Sequence, residues 1–228
     1  MVQLTADECR VLGVLVEKAL TVPGQYPMSL NALALGCSQK NNRDPVEDYT
    51  EERCLTAVDA LRAKGLALEV HLTGSRVLKF RHTVRDGLAI GVPEEALLAE
   101  LLLRGPQTLG ELRGRASRLH AYESLESVQG VLDQLLGRPE PLVRRLPPSP
   151  GTRAERWCQL LCPTLHPLDR APAAPMSAAT GPNENAPRLE SSGGQGGMDL
   201  GLADRVATLE AQVAELRSRL DAFDEPRP

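Results

Sequence analysis

Aromatic residues make up only 3% of this 228-residue chain: two Phe, three Tyr and one Trp. Any core must therefore be built from Leu, Val and Ala. An excess of positive charge is also missing. Residues 1–90 hold 11 Lys/Arg against 11 Asp/Glu, residues 91–165 hold 9 against 9, and the remainder holds 6 against 10. The formal charge of −4 thus arises in the C-terminal part. Neither half is basic overall, which weakens the usual electrostatic case for nucleic acid. No apolar run approaches the ~20 residues of a membrane span. The opening MVQLTADECR carries acids where a signal peptide needs a basic region and an apolar stretch. The five cysteines (Cys9, Cys37, Cys54, Cys158 and Cys162) lack CxxC spacing. They read as small core hydrophobes of a reduced, cytoplasmic protein.

The signatures of catalysis are absent as well. There is no GxSxG, P-loop or GxGxxG. His71, His82, His120 and His166 are dispersed, and none pairs with Cys at zinc-ligand spacing. Glu51 and Glu52 are adjacent, so they point to different faces of a helix and make no acid/base pair. The expectation is a binding protein without cofactor or metal.

What is present is a pattern of caps and periods. Thr5 and Glu8 form a capping box, and Leu12, Leu15, Val16 and Ala19 then share one helical face. Pro23-Gly24 ends that helix. Ser29 caps a second, with Leu30, Leu33, Ala34 and Cys37 as its apolar stripe. Thr50 caps a third, with Cys54, Leu55, Val58 and Leu61 inward, and Gly65 stops it. The period then changes to two. Leu66, Leu68, Val70 and Leu72 alternate with Ala67, Glu69 and His71, and residues 77–82 make the return strand of a hairpin.

The same plan recurs. Pro93 opens a helix buried through Leu97, Leu98, Leu101 and Leu102, which Gly105-Pro106 stops. Thr108 and Glu111 form another capping box, with Leu109, Leu112, Ala116 and Leu119 inward. Ser124 starts a helix buried through Leu125, Val128, Leu132 and Leu135. Residues 142–146 then pair with 156–160. This is a mainly α chain with small β-hairpins, an α+β fold of two tandem winged helix-turn-helix domains over 1–90 and 91–162.

From Pro163 to Met198 the composition collapses to Pro, Ala, Gly, Ser and Asn, the signature of a flexible linker. Residues 199–228 read as a terminal amphipathic helix. Leu202, Val206, Leu209, Val213, Leu216, Leu220 and Phe223 alternate spacings of four and three, a heptad seam favouring a parallel homodimer. The alternative is a helix docked on its own domain.

Several of these stretches together resemble the YceH-like family of uncharacterised bacterial proteins. They are Glu17-Lys18, QYPMSLNAL (Gln25 to Leu33), CSQKNNRDPV (Cys37 to Val46), LLRGPQTLGELRGRASRLH (Leu102 to His120) and GTRAERW (Gly151 to Trp157). The resemblance covers residues 4–161, and its first three blocks are specific. It implies tandem winged-helix domains in a cytoplasmic bacterial protein and carries no established activity.

Fold analogy makes DNA the first candidate partner. The contacts on offer are Lys40, Asn41, Asn42 and Arg43 in the turn, Arg53 on the third helix, and Arg76, Lys79 and Arg81 on the wing. Against it stand Glu47, Asp48, Glu51 and Glu52, where phosphates would approach. The turn from Ser38 to Tyr49 is also long for a helix-turn-helix, whose norm is about 3–4 residues. Plain turn chemistry also accounts for the Asn-Asn-Arg run. In the second domain, Glu111 and Arg115 read as a solvated i,i+4 pair, while Arg144, Arg145, Arg153 and Arg156 offer a phosphate contact. The alternative function is a dimeric scaffold whose winged helices bind partner chains, with no membrane contact in either case. Charge separates the two. DNA binding predicts a continuous basic stripe across Arg43, Arg53 and Arg76, with Arg43→Glu harming binding but not stability. A scaffold predicts an exposed apolar groove.

Overall fold

The computed structural model describes residues 2–71, 77–148, 154–163 and 165. The chain divides into two units, Met1–Met176 and Ser177–Pro228. All described residues belong to the first. The linker over 163–198 and the heptad residues Leu202, Val206, Leu209, Val213, Leu216, Leu220 and Phe223 lie outside the described residues, apart from Pro163 and Leu165.

The first repeat opens with α1 (Ala6–Thr21). Its capping box forms as expected: the Thr5 N–H donates to Glu8 at 2.7 Å and the Glu8 N–H to the Thr5 hydroxyl at 3.2 Å. A one-turn 3₁₀ helix (Pro23–Gln25) and β1 (Met28–Ser29) lead to α2 (Leu30–Cys37), capped by Ser29. A long turn then reaches α3 (Glu51–Ala63), capped by Thr50, followed by β2 (Ala67–Val70) and β3 (Lys79–His82). A short α4 (Val84–Leu88) joins the repeats.

The second repeat uses α5 (Val92–Arg104), β4 (Gln107–Thr108), α6 (Leu109–Ala116), α7 (Leu125–Leu136), β5 (Val143–Leu146) and β6 (Arg156–Gln159). Each repeat thus carries helix, short strand, two helices and a hairpin. Its small antiparallel sheet places the last strand in the middle, in the orders β1-β3-β2 and β4-β6-β5. The fold is α+β.

The repeats share one core. α1 is buried on every side from Glu8 to Glu17, because α3 covers one flank and α5 the other. Its apolar run from Val11 to Val16 has to be enclosed in this way. The close approach of α1 and α5 depends on Gly13, where a Cβ would sit 2.8 Å from Leu103 Cγ. The chain ends of the unit are tied too, the Leu4 N–H donating to the Leu161 carbonyl at 2.7 Å.

Three expectations about facing need correction. Leu66, Leu68 and Val70 do not form one inward row, and Leu72 lies outside the described residues. Gly65 is left-handed (φ 71°), and α3 ends in a Schellman motif. The Gly65 N–H donates to the Arg62 carbonyl and the Leu66 N–H to the Leu61 carbonyl. Leu66 therefore packs against the helix it follows. The strand's alternation restarts at Ala67, which is buried, leaving Leu68 at 45% exposure. Leu55 is 38% exposed, since the buried row of α3 runs through Cys54, Ala57, Val58 and Leu61. Leu125 is 41% exposed, as the first residue of α7 projecting beyond its covered face.

Candidate functional site

The turn from Ser38 to Tyr49 is the most informative stretch. Lys40 and Asn41 are exposed at its tip, and Asn42 adopts φ 61°, which Asn tolerates. Arg43 is not available as a contact. Its side chain is fully enclosed, with bonds to Glu17 Oε2 at 2.5 Å and Oε1 at 3.3 Å. It also donates to the Gly36 carbonyl at 2.9 and 3.0 Å, the Asn42 carbonyl at 2.8 Å and Gln39 Oε1 at 3.1 Å. Buried Arg10 holds the same turn through the carbonyls of Cys37 and Pro45, and the Asp44 N–H donates to the Leu103 carbonyl of α5 at 2.9 Å. The long turn is a strap laid between α1 and α5.

Arg43 heads a chain of charges crossing both repeats. Glu17 also accepts from Arg118, which donates at 3.0 Å to Glu100, and Glu100 lies 3.0 Å from Arg104. The Glu17 and Glu100 side chains are 2% and 0% exposed. Burial pushes the Glu17 carboxyl up, but the bonds and charges of Arg43 and Arg118 outweigh it and hold the group below its usual range. Such a cluster is costly to break, because removing one partner leaves a buried charge uncompensated.

Arg53 is also committed. It meets Asp7 at 2.5 and 2.9 Å and Glu47 at 2.7 Å, and its guanidinium lies 3.8 Å over the Tyr49 ring. The outward face of α3 is left with exposed Glu51, Glu52, Thr56 and Asp59. Arg76 lies outside the described residues. Lys79 and Arg81 sit on the outward face of the hairpin, in register with Val70 and Leu68. Arg81 is exposed and Lys79 half-buried. In the second repeat the Glu111–Arg115 pair forms at 3.2 Å. Arg144 is exposed. Arg145 stacks 4.9 Å over Trp157 and lies near Asp133 and Glu155. Arg156 is half-buried, and Arg153 lies outside the described residues.

A groove opens where the end of α1 meets α2. Val22, Met28, Ala32, Leu35 and Gly36 form its apolar part, and Lys18, Gln25 and Gln39 complete the lining, around a volume of about 190 Å³. No carboxylate lines it. Leu35 is 65% exposed, the most exposed large apolar side chain among the described residues. The α2 stripe of Leu33, Ala34 and Cys37 leaves Leu35 on the opposite face. Its exposure was available from helical spacing, whereas the groove beside it depends on α1.

A second buried cluster joins the repeats. His82 Nε2 lies 3.2 Å from Glu95 Oε1, and Arg85 Nε lies 2.8 Å from Glu95 Oε2. Burial, together with Arg85 and Arg81, pushes the His82 imidazole down to about 4. In the unfolded chain it titrates near ~6.5. Below that value the unfolded state binds more protons, so His82 withdraws stability as pH falls toward 4, on the order of 3 kcal/mol in all. Burial pushes the Glu95 carboxyl up against the pull of Arg85, which gives a slope of opposite sign. The clean readout is a difference. His82→Gln should flatten the wild-type loss of stability between pH ~6.5 and ~4 in urea titrations. Parallel pH profiles for the two proteins would refute this. Among the described residues no three His, Cys, Asp or Glu side chains stand together as a metal-binding group.

Comparison with known proteins adds the lineage. Residues 4–152 match the model of a family described as "Protein of unknown function, DUF480". A UPF0502 protein of Burkholderia lata is 44% identical over 218 residues, covering 96% of this chain and 89% of that protein. One from an Acidovorax species is 43% identical over 228 residues, covering 97% and 93%. One from Burkholderia pseudomallei is 49% identical over 171 residues, covering 75% and 72%.

Proposed function

The chain belongs to the DUF480 (UPF0502) family of bacterial proteins, the YceH-like family its motifs resemble, and we propose that it is a non-enzymatic binding protein. We read each repeat as a winged helix-turn-helix, supported by the recurring order of helix, short strand, two helices and hairpin. The pair acts as one scaffold, and its partner is a protein segment. The observation that carries this reading is the fate of the arginines. Arg43 and Arg53, two of the three members of the basic stripe that DNA binding calls for, are spent on Glu17, Asp7 and Glu47. The apolar groove beside Leu35 stays open.

The groove's chemistry selects its occupant. Its polar lining consists of Lys18, Gln25 and Gln39, which supply donors and no negative charge. It suits a segment with one large apolar side chain flanked by carboxylates. A photo-crosslinking amino acid at position 35 of the full chain, in living bacteria, should give one dominant protein adduct. Mass spectrometry should place the link on an acidic segment with an apolar anchor. The same group at Gly110, exposed on α6, serves as the comparison. Adducts at position 35 no different from those at 110 would overturn the assignment.

Duplex DNA is the second reading. Lys79 and Arg81 favour it, because an outward hairpin face with that pair suits phosphate. Self-association through the heptads of 199–228 is a further proposal from sequence alone; a monomeric full-length chain in light scattering would end it.

A further inference from the structure

Glu100 sits beneath a cluster of arginines. Arg104 and Arg118 meet opposite oxygens of its carboxylate, Oε1 and Oε2, each at 3.0 Å, so their guanidiniums flank one buried group. Arg115 joins them through Gln107. Its guanidinium donates to Gln107 Oε1 at 2.9 Å, and Gln107 Nε2 donates to the Glu100 carbonyl at 3.3 Å. Glu100 is enclosed, but the side chains of Arg104, Arg115 and Arg118 keep 21%, 37% and 30% of their surface in solvent. From this juxtaposition we propose that Arg104, Arg115 and Arg118 form a binding site for the phosphate group of a small ligand.

The charge balance of the network asks for an anion. Arg43, Arg104, Arg115, Arg118 and Lys18 meet only the carboxylates of Glu17, Glu100 and Glu111, which leaves two positive charges over. A phosphate monoester brings about −1.5 to −2 near neutral pH, with three acceptor oxygens. The donors to meet it are at hand. Arg118 spends one N–H of each terminal nitrogen on Glu17 and Glu100, which leaves others for an anion. Arg104 Nε lies 3.0 Å from Glu100 Oε1 yet finds no aligned hydrogen-bond acceptor among the described residues, so charge rather than hydrogen bonding holds this guanidinium. Burial holds it below its usual range. Glu100 pulls it back, and Arg115, Arg118 and Arg43 push it down again, a repulsion that a bound anion relieves.

The site is also preorganised. Arg118 is fixed between Glu17 and Glu100, and Arg115 between Gln107 and Glu111, so little side-chain freedom is lost on binding. Planar guanidiniums held this way suit a tetrahedral oxyanion, which they meet through paired N–H donors. The cations gather around one buried carboxylate instead of standing in a row, which favours a single phosphate group over a nucleic-acid backbone.

The test is calorimetric titration of the full chain with inorganic phosphate and with pyrophosphate, against chloride at equal ionic strength. Saturable binding of one pyrophosphate per chain is expected, with phosphate weaker. Arg104→Gln and Arg115→Gln should each weaken it at least about tenfold, the worth of one charge-assisted hydrogen bond. Arg62→Gln, on α3 and paired with Asp59 and Glu69, should bind as the parent does. Urea unfolding of each variant separates lost binding from lost folding, and Arg115, the most exposed of the three, keeps the test decisive if Arg104→Gln does not fold. No saturable binding at millimolar pyrophosphate would overturn the proposal. So would parental affinity in Arg115→Gln, or an equal loss in Arg62→Gln. Displacement of pyrophosphate by duplex DNA at an equal phosphate concentration would overturn the small-ligand assignment in favour of nucleic acid.

Discussion

Replacing Arg43 by alanine should cost about 3–5 kcal/mol of folding stability, the range for breaking a buried ion pair from one side. The guanidinium closes two bonds to Glu17 and two to the Gly36 carbonyl, with no exposure of its side chain. Its removal leaves Glu17 with Arg118 at 2.5 Å and Lys18 at 3.8 Å. It also frees the Gly36 carbonyl in a dry site. Arg43→Glu should be worse still, because a second carboxylate would face Glu17. Domains of this kind hold only ~5–15 kcal/mol in total, so that variant should be largely unfolded. This reverses the expectation drawn from the sequence, that a charge reversal at this position would spare stability. Lys40→Ala, three residues earlier and exposed, should stay within about 0.5 kcal/mol of the parent. Urea unfolding followed by Trp157 fluorescence checks all three. A folded Arg43→Glu protein with parental stability would contradict the burial of this side chain.

Gly13→Leu should destabilise the protein by about 3 kcal/mol, the upper end for overpacking a tight core. A Cβ at position 13 already falls 2.8 Å from Leu103 Cγ and 2.9 Å from its Cδ2, and a leucine adds three further carbons. The helix-propensity gain on leaving glycine, about 1 kcal/mol, offsets only part of this. The location of the effect carries the information. Gly13 is in the first repeat, and the single Trp, Trp157, is buried in the second. If α1 and α5 form one core, circular dichroism and Trp157 fluorescence should shift together in a single transition. A Trp157 transition that stays in place while the helical signal splits would mean that the repeats unfold separately.

Much of the fold was legible because local chemistry decides it. Thr5, Ser29, Thr50, Thr108 and Ser124 each cap a helix as their spacing implies. Gly65 ends α3 with the left-handed turn that its place after Lys64 suggested. The strand phase was misread because Leu66 looks like the first residue of an alternating run, while the Schellman motif takes it for the helix end. The site was less legible for a different reason. Arg43 sits among Lys40, Asn41 and Asn42, which reads as solvated surface, and its partner Glu17 is 26 residues away. Arg118 reaches the same carboxylate from 101 residues away. No local pattern encodes those distances. One signal was present: Glu17 follows the apolar run Val11–Val16 of α1 and Glu100 interrupts the apolar run from Ala96 to Leu103 of α5, and a buried carboxylate demands cations from elsewhere in the chain. Searching for them would have pointed to arginines in polar turns.

The most direct test is selection of sheared genomic DNA by the purified full-length protein at low and near-physiological salt. With Arg43 and Arg53 consumed by the fold, the expected result is weak retention at low salt, through groups such as Lys79 and Arg81, and none at the higher salt. Discrete fragments enriched at near-physiological salt would contradict the account and make the protein a sequence-specific DNA binder.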